Sequence, residues 1–240
     1  MALAGVVTTG GRPAVTVTAA VPLTLLIIAL PIAEPVPEEG ALYRPLLLTE
    51  PGPVDVQVKV GWVAIELVFE THSTTVDNEQ GHATGWLPGQ LSDRGRARAQ
   101  QLGRRRRGDG ITAVFSSDLA RAAQTASVAF AGSAIPVLYD WRLRECDYGQ
   151  RNGMPVAELH AGRREHLDRP YPGGESWRLA VMRVGRFLAD LPLRWNGQPI
   201  LVIGHVATRW GLDHLIGGVP LEDLAEQDFA WQEGWEYRVS

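Results

Sequence analysis

The sequence contains a single cysteine and no excess of positive charge, and both shortages narrow the functions to consider. Cys146 has no internal partner for a disulfide, so the fold does not depend on oxidising surroundings and we expect a cytoplasmic location. The formal net charge of -4 argues against nucleic acid as a partner, because nucleic-acid-binding domains carry a basic surface. With 45% hydrophobic residues, the chain can nevertheless form one sizeable core.

Residues 1–60 are poor in charge and follow neither helical nor strand periodicity. We expect them to be a disordered extension, or the product of a start site assigned too far upstream. The uncharged run at residues 14–33 is about long enough to cross a bilayer. Pro22 and Pro31 interrupt that run, so we do not expect a membrane as a partner unless the run is a real signal or anchor.

From residue 61 onward, short β-branched runs alternate with amphipathic stretches. This alternation is typical of a mostly parallel sheet covered by helices, so residues 61–240 are predicted to form one α/β domain. Four consecutive arginines at residues 104–107 are predicted to be a solvated helix terminus. We expect strands at 63–69, 111–116, 135–139, 199–204 and 236–239, and helices at 92–108, 119–131, 156–167, 176–191 and 207–216.

Two histidines follow predicted strands at the point where each strand ends. His72 comes shortly after the first strand, and His205 comes directly after the very apolar ILVIG. Ligands of open α/β sheets bind beyond the carboxyl ends of strands, so we expect both imidazoles at one edge of the sheet. Either histidine alone could equally be a structural residue, and the pair is what indicates a site.

The segment ELVFETHSTTVDN resembles the signature of histidine phosphatases and cofactor-dependent phosphoglycerate mutases, Leu-Val-Arg-His-Gly-Glu-Thr-x-x-Asn. Aligned on His72, Thr75 and Asn78 also match the signature. Five further motifs of that family follow in the family's order: GWLPGQLSDRG, SSDLARAAQTA, LRECDYGQRNG, PGGES and VIGH. The resemblance implies a three-layer α/β sandwich with a mostly parallel sheet flanked by helices.

The resemblance also implies a role for each matched residue. His72 would be the nucleophile that becomes phosphohistidine, and His205 would be a second donor to the phosphoryl oxygens. Glu145 would protonate the leaving oxygen and later deprotonate water. The phosphate would be held by Arg121, which can offer paired donors, and by Asn78 and Thr75.

Thr71 is the main departure from the family pattern, because it stands where the family has a phosphate-binding arginine. Losing one such donor typically costs about two to three orders of magnitude in rate. Arg209, four residues after His205, is our candidate to replace the missing guanidinium. The further candidates are three arginines near Glu145 in the sequence: Arg142, Arg144 and Arg151.

The leading hypothesis is a phosphatase acting on a small-molecule phosphomonoester, with no cofactor. The alternatives are a phosphoglycerate mutase-type phosphotransferase and, because of Thr71, a non-catalytic binder of phosphorylated ligands. No metal is predicted, since the remaining histidines lack paired ligand spacing. Those histidines are His82, His160, His166 and His214.

Overall fold

The computed structural model describes residues 5–9, 12–16 and 63–239, and the chain divides into two units, Met1–Trp62 and Val63–Ser240. In the first unit, strands β1 (Gly5–Thr9) and β2 (Arg12–Thr16) form an antiparallel pair. The sequence did not predict these strands. The rest of the expected extension, including most of the apolar run at 14–33, lies outside the described residues. Within the described residues, no helix combines the length and apolar character needed to span a membrane.

The second unit is organised around a five-stranded sheet whose strand order is β6-β5-β8-β3-β9. Strands β6, β5, β8 and β3 run parallel, and only the edge strand β9 is antiparallel to its neighbour β3. The predicted mostly parallel sheet is therefore confirmed. The bounds of the five strands are β3 (Ile65–Thr71), β5 (Ala113–Ser116), β6 (Val137–Tyr139), β8 (Ile200–Gly204) and β9 (Trp235–Val239).

Helices cover both faces of this sheet, as the three-layer expectation required. Along the fully buried strand β8, Leu201 and Ile203 pack in one core cluster, whereas Ile200 and Val202 pack in the other. The first cluster includes side chains of α2 and α3, and the second includes side chains of α5 and α6. The helices are α1 (Val76–Glu79), α2 (Asp93–Arg106), α3 (Ala120–Ala129), α4 (Val156–Gly162), α5 (Trp177–Trp195), α6 (Val206–Leu215) and α7 (Leu221–Glu226).

Helix boundaries follow the capping chemistry. Ser92 caps α2 as predicted, because its hydroxyl accepts a hydrogen bond from the Gly95 amide at 3.1 Å. The helix expected at 156–167 is shorter: α4 ends at Gly162 and a 3₁₀ turn, Arg163–His166, follows it.

The short antiparallel pair β4 (His82–Ala83) and β7 (Met154–Pro155) was not predicted, because strands of two residues show no periodic pattern.

The arginine run at the end of α2 is not simply a solvated terminus. Arg105 Nη2 and Arg106 Nε lie 3.0 Å and 2.8 Å from Oε1 of Glu70, a buried residue of β3. A buried carboxylate requires such partners, since an unpaired charge in the interior is costly. The prediction holds for the helix end and for the exposed Arg104 and Arg107, but it missed the pairing of Arg105 and Arg106, because residue 70 lies in a strand remote from the run in sequence.

Candidate active site

The pairing of β3 with β8 brings the two predicted histidines together. Thr71 is opposite Gly204 in the parallel register, and the His72 amide donates to the Gly204 carbonyl at 2.9 Å. The next residue after β8 is His205, and its ring centroid lies 5.0 Å from that of His72. The expected convergence of the two imidazoles at the carboxyl edge of the sheet is therefore present in the structure.

The surroundings of His72 keep its imidazole neutral and orient it. Nδ1 lies 2.8 Å from the Ser73 carbonyl oxygen, which can only accept, so Nδ1 carries the proton. Arg121 Nε donates to Nε2 at 3.3 Å, which identifies Nε2 as the atom with the lone pair. Burial, assisted by the positive charge of Arg121, lowers the pKa of His72 to about 3. At neutral pH this ring can therefore act as a nucleophile.

His205 is 1% exposed, and within the described part of the chain neither of its ring nitrogens has a hydrogen-bond partner. Burial, with a smaller contribution from the positive charge of Arg121, lowers the pKa of His205 well below its usual value. Buried polar atoms are normally satisfied, and leaving one without a partner costs about 1–3 kcal/mol. A ligand oxygen beside the two rings would give His205 a partner.

Arg121 places a positive charge next to His72. Its side chain is 2% exposed, and Nη2 donates to the Gly85 carbonyl at 2.8 Å. Thr125, one turn further along α3, donates to the Arg121 carbonyl at 2.7 Å and accepts from the Ser73 amide at 2.9 Å. The loop after His72 and the helix that carries Arg121 are thus held together by one hydroxyl.

Glu145 lines the same cavity as the two histidines. Its Oε1 accepts from two backbone amides, Cys146 at 2.9 Å and Ala207 at 3.0 Å. Its Oε2 has no hydrogen-bond partner among residues 63–239. The two amides fix the orientation of the carboxyl group and leave one oxygen available for proton transfer.

Arg183 and Glu175 support Glu145, and sequence analysis did not identify either of them. Arg183 Nη2 donates to the Glu145 carbonyl at 3.0 Å, and Nη1 donates to the carbonyls of Arg142 and Arg144. The same guanidinium is held by both carboxylate oxygens of Glu175, each at 2.7 Å. The only sequence signal was the PGGES motif that contains Glu175, because the contacts of Arg183 lie far away along the chain.

His72, Arg121, Glu145 and His205 line one cavity of about 610 Å³. Asn78 also lines it, with Oδ1 accepting from the Thr75 amide at 3.1 Å. Thr75 is fully buried and does not line the cavity; its hydroxyl accepts from the Asn78 amide at 3.0 Å. Thr75 therefore caps α1 rather than facing a ligand. Three cavity arginines were not predicted: Arg98, Arg105 and Arg163.

Arg209 does not replace the missing guanidinium, which corrects our expectation. It belongs to α6, but Nε pairs with Asp213 at 2.6 Å and the guanidinium lies 4.3 Å from the centroid of Trp235. It is not among the cavity residues, whereas Thr71 is. The further candidates for this role do not line the cavity either: Arg142, Arg144 and Arg151.

Among the described residues there is no group of three or more His, Cys, Asp or Glu side chains that could hold a metal ion.

Comparisons with known proteins identify the family. Residues 67–231 match the family described as the histidine phosphatase superfamily, branch 1. A 2,3-bisphosphoglycerate-dependent phosphoglycerate mutase of Methylobacterium radiotolerans is 36% identical over 155 residues, covering 58% of this chain and 73% of that protein. A probable phosphoglycerate mutase of Salmonella typhi is 32% identical over 152 residues, covering 60% and 71%.

Solved structures agree with the sequence matches. A putative alpha-ribazole-5'-P phosphatase of Escherichia coli superposes with a TM-score of 0.61 at 28% identity, covering 67% of this chain and 83% of that one. A mycobacterial glucosyl-3-phosphoglycerate phosphatase gives a TM-score of 0.61 at 25% identity, covering 69% and 86%. With the family match spanning most of the chain and the paired histidines in place, this chain belongs to the histidine phosphatase superfamily.

Proposed function

We propose that the chain is a phosphatase that hydrolyses a small phosphomonoester through a phosphohistidine on His72. The observation that carries this proposal is the meeting of a neutral His72, a buried His205 and a buried Arg121 at one cavity wall. A phosphomonoester is a dianion, and donors that converge on its oxygens favour the transition state over the ground state. The chain provides such donors beside the Nε2 lone pair of His72, which only the Arg121 guanidinium contacts at 3.3 Å among the described residues.

In the first step, the Nε2 lone pair of His72 attacks phosphorus and the bond from phosphorus to the ester oxygen breaks. Arg121 and His205 donate to the phosphoryl oxygens, and the carboxyl group of Glu145 gives its proton to the departing oxygen. In the second step, water attacks phosphorus, Glu145 takes the water proton, and the P–N bond breaks. The products are an alcohol and inorganic phosphate, and His72 is neutral again.

Transfer to a second hydroxyl instead of water is the other function to test. It is favoured by the names of the relatives from Methylobacterium radiotolerans and Salmonella typhi, which are mutases. The phosphatases among the structural neighbours favour hydrolysis. The two reactions share the first step and differ only in the acceptor, so an assay must follow both products.

The experiment uses the full chain and its His72→Ala variant with 4-nitrophenyl phosphate. The wild type should release inorganic phosphate, and the variant should lose this activity. His214→Gln is the matched control, because His214 contacts the Val219 carbonyl and does not line the cavity. Equal phosphate release by the wild type and His72→Ala would refute the proposal.

Two further measurements separate the alternatives. Interconversion of 2- and 3-phosphoglycerate in the presence of 2,3-bisphosphoglycerate, faster than release of phosphate, would establish the mutase. Tight binding of vanadate without phosphate release or a trapped phosphohistidine would establish the non-catalytic binder. The cytoplasmic location stays a prediction, which localisation of a tagged full-length chain would test.

A further inference from the structure

Trp86 belongs to the loop between β4 and α2, and it does not line the cavity itself. Its indole Nε1 donates to the backbone carbonyl of Glu145 at 2.6 Å. The residue before it is Gly85, whose carbonyl oxygen accepts from Nη2 of Arg121 at 2.8 Å. Two consecutive residues therefore contact both the side chain proposed to hold the phosphate and the residue proposed to supply the proton.

The indole ring of Trp86 packs against a guanidinium that is itself fixed. The guanidinium carbon of Arg144 lies 4.5 Å from the centroid of the ring. Two nitrogens of Arg144 donate to the two carboxylate oxygens of Asp118 at 2.7 Å and 2.6 Å, and a paired contact of this kind fixes the plane of the guanidinium. Because Asp118 lies just before α3, the ring is also connected to the start of the helix that carries Arg121.

The backbone of the same loop is held by Asn152. Its Oδ1 accepts from the amide of Trp86 at 3.3 Å and from the amide of Tyr148 at 3.0 Å. One side chain thus joins the loop of Trp86 to the neighbouring loop of the site. Gly85 must be a glycine here, since its φ is +56° and a Cβ atom would lie 1.8 Å from Oδ1 of Asn152.

The Glu145 carbonyl oxygen accepts from two donors, and they have different consequences. Nη2 of Arg183, at 3.0 Å, relates this carbonyl to helix α5, whereas the indole of Trp86 relates it to the loop that contacts Arg121. Without the indole donor, the backbone at Glu145 could shift relative to Arg121 while every other contact stayed in place. A displacement of about 1 Å between reacting groups can cost about two orders of magnitude in rate.

We infer that Trp86 is a positioning residue, whose indole N–H keeps the proton donor Glu145 at the correct distance from a phosphate held by Arg121. Trp86 acts through the main chain of Glu145 and contacts neither the phosphate nor the leaving group. This inference rests on the proposed function, which gives Glu145 and Arg121 their roles. The expected defect is in proton transfer to the leaving oxygen and not in phosphate binding.

Trp86→Phe in the full chain removes the N–H and keeps an aromatic ring beside Arg144. We expect kcat for an alkyl phosphate to fall about tenfold or more, kcat for 4-nitrophenyl phosphate to fall much less, and vanadate affinity to stay at the wild-type value. General damage to the fold would lower all three together. Trp141→Phe is the matched control, because Trp141 is 50% exposed and should leave all three unchanged.

Hydrogen exchange tests the same inference without turnover. The amides of Cys146 and Ala207 donate to the Glu145 carboxylate, so a shift of Glu145 should remove part of their protection. In Trp86→Phe both amides should exchange about fivefold or more faster than in the wild type. If Trp86→Phe does not fold, benzothienylalanine at residue 86 takes its place, since sulfur then replaces the N–H in a ring of the same shape.

Unchanged exchange at both amides, or equal losses of kcat for the two esters, would overturn the inference. A wild type that releases no phosphate, together with faster exchange in the variant, would instead refute only the proposed hydrolysis and leave the positioning of Glu145 by Trp86 established.

Discussion

The imidazoles of His72 and His205 lie with ring centroids 5.0 Å apart, each on the residue that follows a strand of the same parallel pair. The spacing leaves room for an oxygen ligand to interact with both rings. Because Arg121 Nε reaches His72 Nε2 from α3, the three groups surround one volume. The predictions below concern what each group contributes there.

Arg121→Lys should lower kcat/KM for 4-nitrophenyl phosphate by about two orders of magnitude. Lysine keeps a positive charge but cannot contact both Gly85 and the phosphoryl oxygens with a planar fork. Steady-state kinetics on the full chain measure this effect. Arg96→Lys, an exposed change on α2, should have no effect. Wild-type kinetics in Arg121→Lys would remove this residue from the proposed mechanism.

Glu145→Gln should affect poor leaving groups much more than good ones. The amide oxygen can still accept from Cys146 and Ala207, but the proton for the departing oxygen is lost. We expect kcat to fall by about 100-fold or more for an alkyl phosphate and much less for 4-nitrophenyl phosphate. A series of phosphate esters with graded leaving-group pKa values measures the difference. Equal losses across the series would show that Glu145 is not the proton donor.

The folded protein should lose stability between neutral pH and about pH 3. His72, whose pKa falls to about 3, stays neutral when folded, whereas in the unfolded chain it protonates below its ordinary value of 6.5. The unfolded state therefore binds more protons, and the free energy of unfolding drops as pH falls. Through His72 alone, the free energy of unfolding should fall by about 2 kcal/mol between pH 7 and pH 5.

Urea titrations at the two pH values, in buffers without phosphate, measure this difference. His72→Gln should show a smaller pH dependence than the wild type, because glutamine does not titrate. His214→Gln serves again as the comparison. A pH dependence that is identical in wild type and His72→Gln would contradict the neutral state of this histidine in the folded protein.

Arg183→Lys should lower kcat with little change in vanadate affinity. Arg183 does not line the cavity; it holds the backbone carbonyls of residues 142, 144 and 145 and so positions Glu145. Lysine can still pair with Glu175 but cannot hold three carbonyls together. Arg178→Lys is the control, because Arg178 lies on the same helix α5 as Arg183 but forms only exposed ion pairs, one of them with Asp168. An equal loss of vanadate affinity and kcat would place Arg183 in ligand binding instead.

Thr71→Arg should raise kcat/KM, on the order of tenfold, by returning a guanidinium to the cavity wall. Thr71 lines the cavity, and none of the arginines expected to compensate for it does so. Kinetics with 4-nitrophenyl phosphate, with the melting temperature as a check on folding, measure the result. A folded Thr71→Arg variant with unchanged or lower kcat/KM would show that the site is complete without this arginine.

Most of the fold could be predicted because its signals are local. Strand β8 is a continuous apolar run, and the start of α2 has a serine cap, so both were assigned within a few residues. Elements too short to show hydrophobic periodicity were not predicted, including α7 and the β4–β7 pair. Helix α4 also ends earlier than predicted, because Arg163 in the 3₁₀ turn that follows it packs against Trp177 and Trp210.

The sequence by itself determined the α/β class and the order of the motifs, and it selected four residues that the structure brings to one cavity: His72, Arg121, Glu145 and His205. Only the tertiary structure decided which arginines reach the cavity. Arg209 turns to Asp213 and Trp235, while Arg163 lies buried beside the site. The physical reason is that a long flexible side chain takes its direction from the charges and rings around it. Those neighbours come from other elements, and no pattern in the local sequence encodes them.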